Sequence, residues 1–302
     1  MIKIISKKVL LILYVFFLLF VVINSCFVQI SGKYDNADNA YINDMIFDSI
    51  SDVDNHLNGM YSKKTNYHLS TDHNYDVLAT DNINQLTLGD KYNELPIIHD
   101  LNKDGVIDSN DKLRTDQGIC QPIAVTMALR YMKLKKMFSY VPKVNSNELD
   151  EINILYDVVS AYISNGWQGG GATREMCYKS INKFFENIGS DYRANYYNKD
   201  MILYLDAGYE NYIPLIGHIT GDDGGHAVTI AGYVKKTVTY EDRFLWRMNN
   251  YNLKFYYAII NTGWYDSPKL ETMFIPDGWY ENNYSYIDMK NMAGITYIYK
   301  QW

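Results

Sequence analysis

The sequence predicts an α+β protein, with a helical half packed on an antiparallel β-sheet half and a cleft between them. Between Cys120 and Ile188, apolar residues recur every three or four positions in three separate runs, the period of helices that turn one face to a core. Beyond Tyr209 the runs become short, apolar or alternating, and are bounded by Gly, Asn and Asp, which marks strands and turns. A chain of 302 residues that is 47% hydrophobic and 15% aromatic can fill such a core and is not disordered or collagenous. Its formal charge of −7 argues against nucleic acid as a partner. A monomer is expected.

The elements follow in chain order. Lys3, Lys7 and Lys8 precede an unbroken apolar run from Val9 to Ile23. The run matches a signal-peptide core and is shorter than the ~20 residues of a spanning helix, so residues 1–25 read as an export signal. It ends in Ile23-Asn24-Ser25-Cys26, which resembles a bacterial lipobox. Lipid attachment at Cys26, ordinary cleavage and secretion, and an uncleaved anchor reaching Val28 all place the remaining chain outside the cell or on its surface. The bias to Asn, Tyr, Ile and Lys fits an AT-rich bacterial genome. Three cysteines, Cys26, Cys120 and Cys177, are too few for a disulfide scaffold or a cysteine-ligated metal.

Residues 27–99 read as a polar linker or pro-segment, mostly solvated loop. Within it Ile42, Met45, Ile46, Ile50, Val53 and Leu57 recur at helical spacing, with Asn58-Gly59 as a stop. This helix either covers an active site as part of a pro-segment or docks on the main domain as structure.

Residues 100–111 read D-L-N-K-D-G-V-I-D-S-N-D. Oxygen side chains stand at loop positions 1, 3, 5, 9 and 12, and Gly105 stands where an EF-hand-like loop must turn sharply. Ca²⁺ would take oxygens from Asp100, Asn102, Asp104, the Val106 carbonyl, Asp108 through water, and both oxygens of Asp111. Asp at the last position, in place of Glu, resembles the loops of dockerin modules. Dockerins carry two repeats and this chain has one, so no cohesin partner follows. A solvated acidic turn is the alternative.

The main domain, residues 113–302, opens with the chemistry. Cys120-Gln121-Pro122 runs into a helix in which Ala124, Met127, Ala128, Tyr131 and Met132 share a face. A cysteine at a helix N-terminus is expected to have a lowered pKa, which favours the thiolate nucleophile. Downstream, His226 starts the apolar run Ala227-Val228-Thr229-Ile230-Ala231-Gly232-Tyr233 after a Gly-rich turn, a place for a general base, with His218 its competitor. Asn261 ends the strand from Phe255 to Ile260 and precedes Thr262-Gly263-Trp264. It could accept the His226 N–H and set the ring plane, with Trp264 shielding that bond. Two further helices run through Leu149, Ile152, Leu155, Tyr156, Val159 and Ile163, and through Cys177, Ile181, Phe184, Phe185 and Ile188, which makes Cys177 a core residue. Gly166 to Gly171 either lets a peptide approach the backbone or connects the helices flexibly. Tyr209 to Ile219 and Tyr280 to Tyr299 read as strands.

Cysteine at a helix start, His-Ala-Val on a strand and Asn before Gly-Trp together resemble the papain-like cysteine peptidases, closest to their streptopain-like and bacteriocin-processing branches. The resemblance covers roughly Leu113 to Trp302. It implies a papain-like fold with Cys120 as nucleophile, His226 as general base and Asn261 as orienter. It also implies an oxyanion-hole glutamine, for which Gln117 is the candidate, acting with the Cys120 backbone N–H. The expected function is an exported, surface-anchored cysteine endopeptidase acting on a peptide or protein substrate. The alternatives are the same machinery as an amidase or acyl transferase, and a non-catalytic calcium-binding surface protein.

Overall fold

The computed structural model describes residues 46–74, 78–80, 83–115, 118–143, 150–219, 225–244, 247–263 and 285–301. The export segment with Cys26, and also Gln117 and Trp264, lie outside the described residues. No helix of the described residues is long and apolar enough to cross a membrane.

The fold is α+β. In chain order it comprises β1 (Ile46–Phe47), α1 (Ile50–Tyr61), β2 (Thr65–Asn74), α2 (Gln85–Asn93), a 3₁₀ turn (Ser109–Asp111) and α3 (Cys120–Leu134). Then follow α4 (Asp150–Ser164), α5 (Arg174–Asn187), β3 (Tyr192–Tyr197), α6 (Met201–Glu210), β4 (Leu215–Ile219) and β5 (His226–Phe244). The chain closes with β6 (Arg247–Asn261), β7 (Ser285–Asp288), a second 3₁₀ turn (Met289–Asn291) and β8 (Met292–Lys300). The eight strands make one antiparallel sheet in the order β1-β7-β6-β5-β4-β8-β3, and β2 pairs with β5 beside that path.

Strand alternation divides the core between two faces of this sheet. Ala227, Ala231, Val234 and Ile259 face the helices α3, α4 and α5, whose Met127, Leu155, Tyr162, Phe184 and Phe185 fill the larger core. Val228, Ile230, Ala258 and Ile260 face the other way, toward Leu205 of α6 with Ile287 and Ile295. Helix α3 is the centre of the helical layer: eleven of its fifteen residues are buried, so it is enclosed by α4 and the sheet rather than amphipathic at a surface. The expected helices at Cys120, Ile152 and Cys177 therefore correspond to α3, α4 and α5, with Cys177 wholly buried.

Three expectations need correction. Ile46 and Phe47 are not helical but pair with Ile287 and Tyr286 of β7. The helix begins only at Ile50 because Ser49 accepts the Asp52 N–H and caps it. It also runs past Asn58-Gly59 to Tyr61, since Gly59 costs a helix only about 1 kcal/mol. Second, residues 46–74 are not a solvated linker. They add two strands to the sheet, and Val53 and Leu57 pack with Val238 and Tyr257 in a third small core. Third, Tyr209 and Glu210 belong to α6 rather than to a strand. Gly208 brings that helix against β4, where a Cβ would lie 2.4 Å from Leu215 Cδ1.

The docking of this N-terminal region rests partly on a buried cation. Lys236 of β5 is 2% exposed; its Nζ lies 2.6 Å from Asp54 of α1 and donates to Thr71 Oγ1 of β2 at 2.8 Å. Removing the anion strands the ammonium. Asp54→Ala is expected to lower unfolding stability by about 3 kcal/mol, the low end of the buried-pair range, because Asp54 keeps some exposure. A urea midpoint unchanged from wild type contradicts this docking.

Candidate active site

Cys120 is the first residue of α3, and the position before it, Ile119, supplies no side-chain cap. Helices α1, α2 and α5 are each capped by a side chain, from Ser49, Asn84 and Thr173, whereas α3, like α6, leaves its first N–H groups to other acceptors. The Cys120 sulfur lies among the backbone N–H groups of Ala227, Gln121 and Cys120. Ala227 is the second residue of β5, so the sulfur lies against the strand that His226 opens. Two residues on, Thr229 Oγ1 donates to the Ala124 carbonyl at 2.9 Å and ties the first turn of α3 to β5.

The wall on the other side is glycine. Gly118 has φ +76°, and a Cβ on it would lie 2.3 Å from the Gly171 backbone nitrogen. Only glycine allows the segment before the nucleophile to meet residues 170–171 so closely. Gln121 extends the same contact by donating Nε2–H to the Ala172 carbonyl at 2.8 Å. The glycine-rich stretch thus lies beside Cys120.

His226 is 6% exposed. Its Nε2 stands 2.8 Å from the Thr262 carbonyl oxygen. A carbonyl can only accept, so Nε2 carries the proton and the neutral ring keeps its lone pair at Nδ1. This is the tautomer a base needs if Nδ1 serves the thiol. The orienting acceptor, however, is not the one expected. Asn261 is fully buried and points its amide elsewhere: Nδ2 donates to Thr80 Oγ1 at 2.7 Å and to the Thr80 carbonyl at 3.0 Å. Its Oδ1 is buried without a hydrogen-bond partner among the described residues. The carbonyl one residue further along the chain holds the imidazole.

The charge state also differs from expectation. Burial raises the Cys120 thiol above its usual 9.0, outweighing the three N–H groups that pull it down. Burial likewise pushes His226 down to about 4, against the opposing pull of its bond to Thr262. A helix N-terminus contributes at most about 2 kcal/mol, whereas burial shifts a pKa by up to several units; Cys120 keeps some exposure, which weakens this for the thiol, while His226 is buried. Here the larger effect wins and the pair rests as thiol and neutral imidazole.

The competitor His218 sits on β4 opposite Ala227. It is 3% exposed, its Nε2 lies 2.8 Å from Thr296 Oγ1, and burial pushes it down to about 3. Burial raises the Cys177 thiol to about 11, against the opposing pull of the nearby Tyr162 and Thr296 hydroxyls. His218 and Cys177 thus both rest as neutral groups within the core.

The acidic loop is tightly bonded to its own backbone. Asp111, 1% exposed, accepts N–H groups of Leu101, Asn102 and Asp108, which hold its carboxyl below the usual range. Asp100 Oδ2 accepts the Gly105 N–H at 2.9 Å, and Gly105 takes the left-handed conformation at φ +85°. Asn102 and Asp104 each accept an N–H two residues on, from Asp104 and Val106, and Asp108 accepts from Asn110. Among the described residues, no three Asp, Glu, His or Cys side chains converge as a metal-binding group.

Sequence reasoning did not find Thr262 or Thr80. A backbone carbonyl has no sequence signature, and Thr80 lies 181 residues from its partner. No protein-family model, curated protein or solved structure matches the chain.

Above about pH 4 the His226 ring is neutral, and the raised Cys120 stays a thiol through neutral pH. Thiolate absorbance of the wild-type chain over Cys120→Ala is therefore expected to emerge only in the alkaline range, later than for an ordinary thiol. A thiolate band already present at pH 6 contradicts the neutral pair.

Proposed function

We propose that this chain is an exported, surface-anchored cysteine endopeptidase of papain-like fold that hydrolyses peptide bonds through a thioester on Cys120. One observation carries the reading. A cysteine opens an uncapped helix with its sulfur at the Ala227 amide, and the preceding residue is a histidine whose Nε2–H is fixed on a carbonyl. The order Cys120, His226, Asn261 supports the same conclusion.

Because both partners are neutral at rest, His226 acts as a general base rather than as half of a stored ion pair. Sγ attacks the substrate carbonyl carbon as the thiol proton moves to Nδ1. The charge that develops on the carbonyl oxygen is met by the Cys120 backbone N–H and, on this reading, by Gln117. The imidazolium returns its proton to the departing amine as the C–N bond breaks, leaving the thioester. Water then attacks that ester, giving its proton to Nδ1, and the thiol is restored as the acid leaves. Asn261, anchored on Thr80, serves this sequence by fixing the backbone that carries the Thr262 carbonyl.

The loop at residues 100–111 is proposed to bind Ca²⁺ through Asp100, Asn102, Asp104, the Val106 carbonyl, Asp108 and Asp111. Buried Asp100 Oδ1, which has no hydrogen-bond partner among the described residues, supports this, as does the left-handed Gly105. Asp111 would have to release some of its three amides to coordinate through both oxygens. Bound Ca²⁺ would stabilise the segment that leads into the domain. Calcium is expected to raise the melting temperature of the wild-type chain and not of Asp100→Ala; equal melting curves with and without calcium remove the metal from the account.

Cys120→Ala is expected to abolish cleavage of a denatured-protein substrate with fold and calcium response intact, and His226→Ala to lower kcat/KM by about 10²–10⁴. Wild-type cleavage by Cys120→Ala overturns the mechanism. Products carrying a new amide, detected by mass, reassign the machinery to acyl transfer. The depressed His226 favours one competing reading, a non-catalytic calcium-binding surface protein, which absence of any turnover would support.

A further inference from the structure

The loop that holds His226 is itself held from outside, by a part of the chain that precedes the nucleophile. Leaving β2, the chain bonds to β5 through the Leu78 N–H and the Ala231 carbonyl at 2.8 Å. Thr80, 5% exposed, then presents its hydroxyl and its carbonyl to Asn261 Nδ2. On the far side of the same loop, the Gln85 N–H donates to the Gly263 carbonyl at 3.0 Å. Between these points the Ile83 N–H bonds to Met127 Sδ of α3 at 3.2 Å. Gly263, at φ +69°, is pinched so closely that a Cβ would lie 3.2 Å from Ile123 Cγ2 and 3.5 Å from the Ile83 carbonyl. Residues 261–263 are thus clamped between α3 and this earlier segment, and between Asn261 and Gly263 lies Thr262, whose carbonyl sets the His226 tautomer.

We infer that residues 78–80 and 83–85 are a fixed wall of the active site, and that Thr80 is a positioning residue that sets the His226 ring through Asn261 and the Thr262 carbonyl. The functional consequence rests on the peptidase reading; the positional one does not. It follows that maturation cannot remove the chain as far as His99, because that cut would take the clamp together with strands β1 and β2. The active form retains this segment.

The test uses the full chain with ¹⁵N-labelled histidine, reading the His226 imidazole resonances and the rate at which iodoacetamide alkylates Cys120. Thr80→Val removes the hydroxyl and keeps the shape. It is expected to speed solvent exchange of the His226 Nε2 proton and slow Cys120 alkylation, each about tenfold, the scale of one buried hydrogen bond. Thr80→Ser, which retains the hydroxyl, is expected to stay within about twofold of wild type. Should Thr80→Val not fold, Thr80→Ala is read in its place. Wild-type imidazole resonances and alkylation in the variant overturn the inference. If His226→Ala leaves Cys120 alkylation unchanged, the peptidase reading fails alone, and the imidazole resonances of Thr80→Val decide the inference by themselves.

Discussion

The register of strand β5 is the constraint on which the rest of the structure depends. Its nineteen residues pair with β6 along one side, from Thr229 to Phe244. The other side is shared by β4 near its start and β2 beyond. His226 is the first residue of that strand, the Ala227 amide meets the Cys120 sulfur, and Thr229 grips the first turn of α3. A slip of one residue would exchange the two faces: Ala227 and Ala231 would turn from the helices, and His226 would leave the Thr262 carbonyl. The site and the fold are fixed by the same hydrogen-bond ladder.

Burial then decides the chemistry. A cysteine at an uncapped helix start invites the view that the helix dipole stores a thiolate. The surroundings of Cys120 and His226 penalise charge on either group more than the dipole favours it. What the local structure supplies is an arrangement for moving a proton when substrate arrives: a lone pair at Nδ1 and a ring that cannot turn without losing the Thr262 bond. A substrate that excludes water and brings its own developing charge would act on a poised neutral pair.

Much of this could be read from the residues. The period of α3, α4 and α5, the apolar runs that became β5 and β6, and the burial of Cys177 follow from local pattern, because enclosed helices and strands write their faces into the sequence. What escaped depends on contacts between distant residues. Strand β2 looks polar because much of it is exposed and its pairing with β5 is a backbone matter. Ile46 carries helical spacing, yet a single serine cap three residues on sets the helix start at Ile50. By its sequence, Asn261 reads as a residue placed to orient something. Its partner Thr80 comes from a stretch with no distinguishing composition, and the carbonyl that holds the imidazole could belong to any residue type.

The central claim is that Cys120 is a nucleophile activated by His226. It is tested most directly by treating the full chain with an epoxysuccinyl inhibitor of papain-type enzymes and mapping the adduct by mass spectrometry. The account predicts one adduct per chain on Cys120, none on buried Cys177, and its disappearance in His226→Ala. An unmodified Cys120, or an adduct that forms equally well without His226, would contradict it.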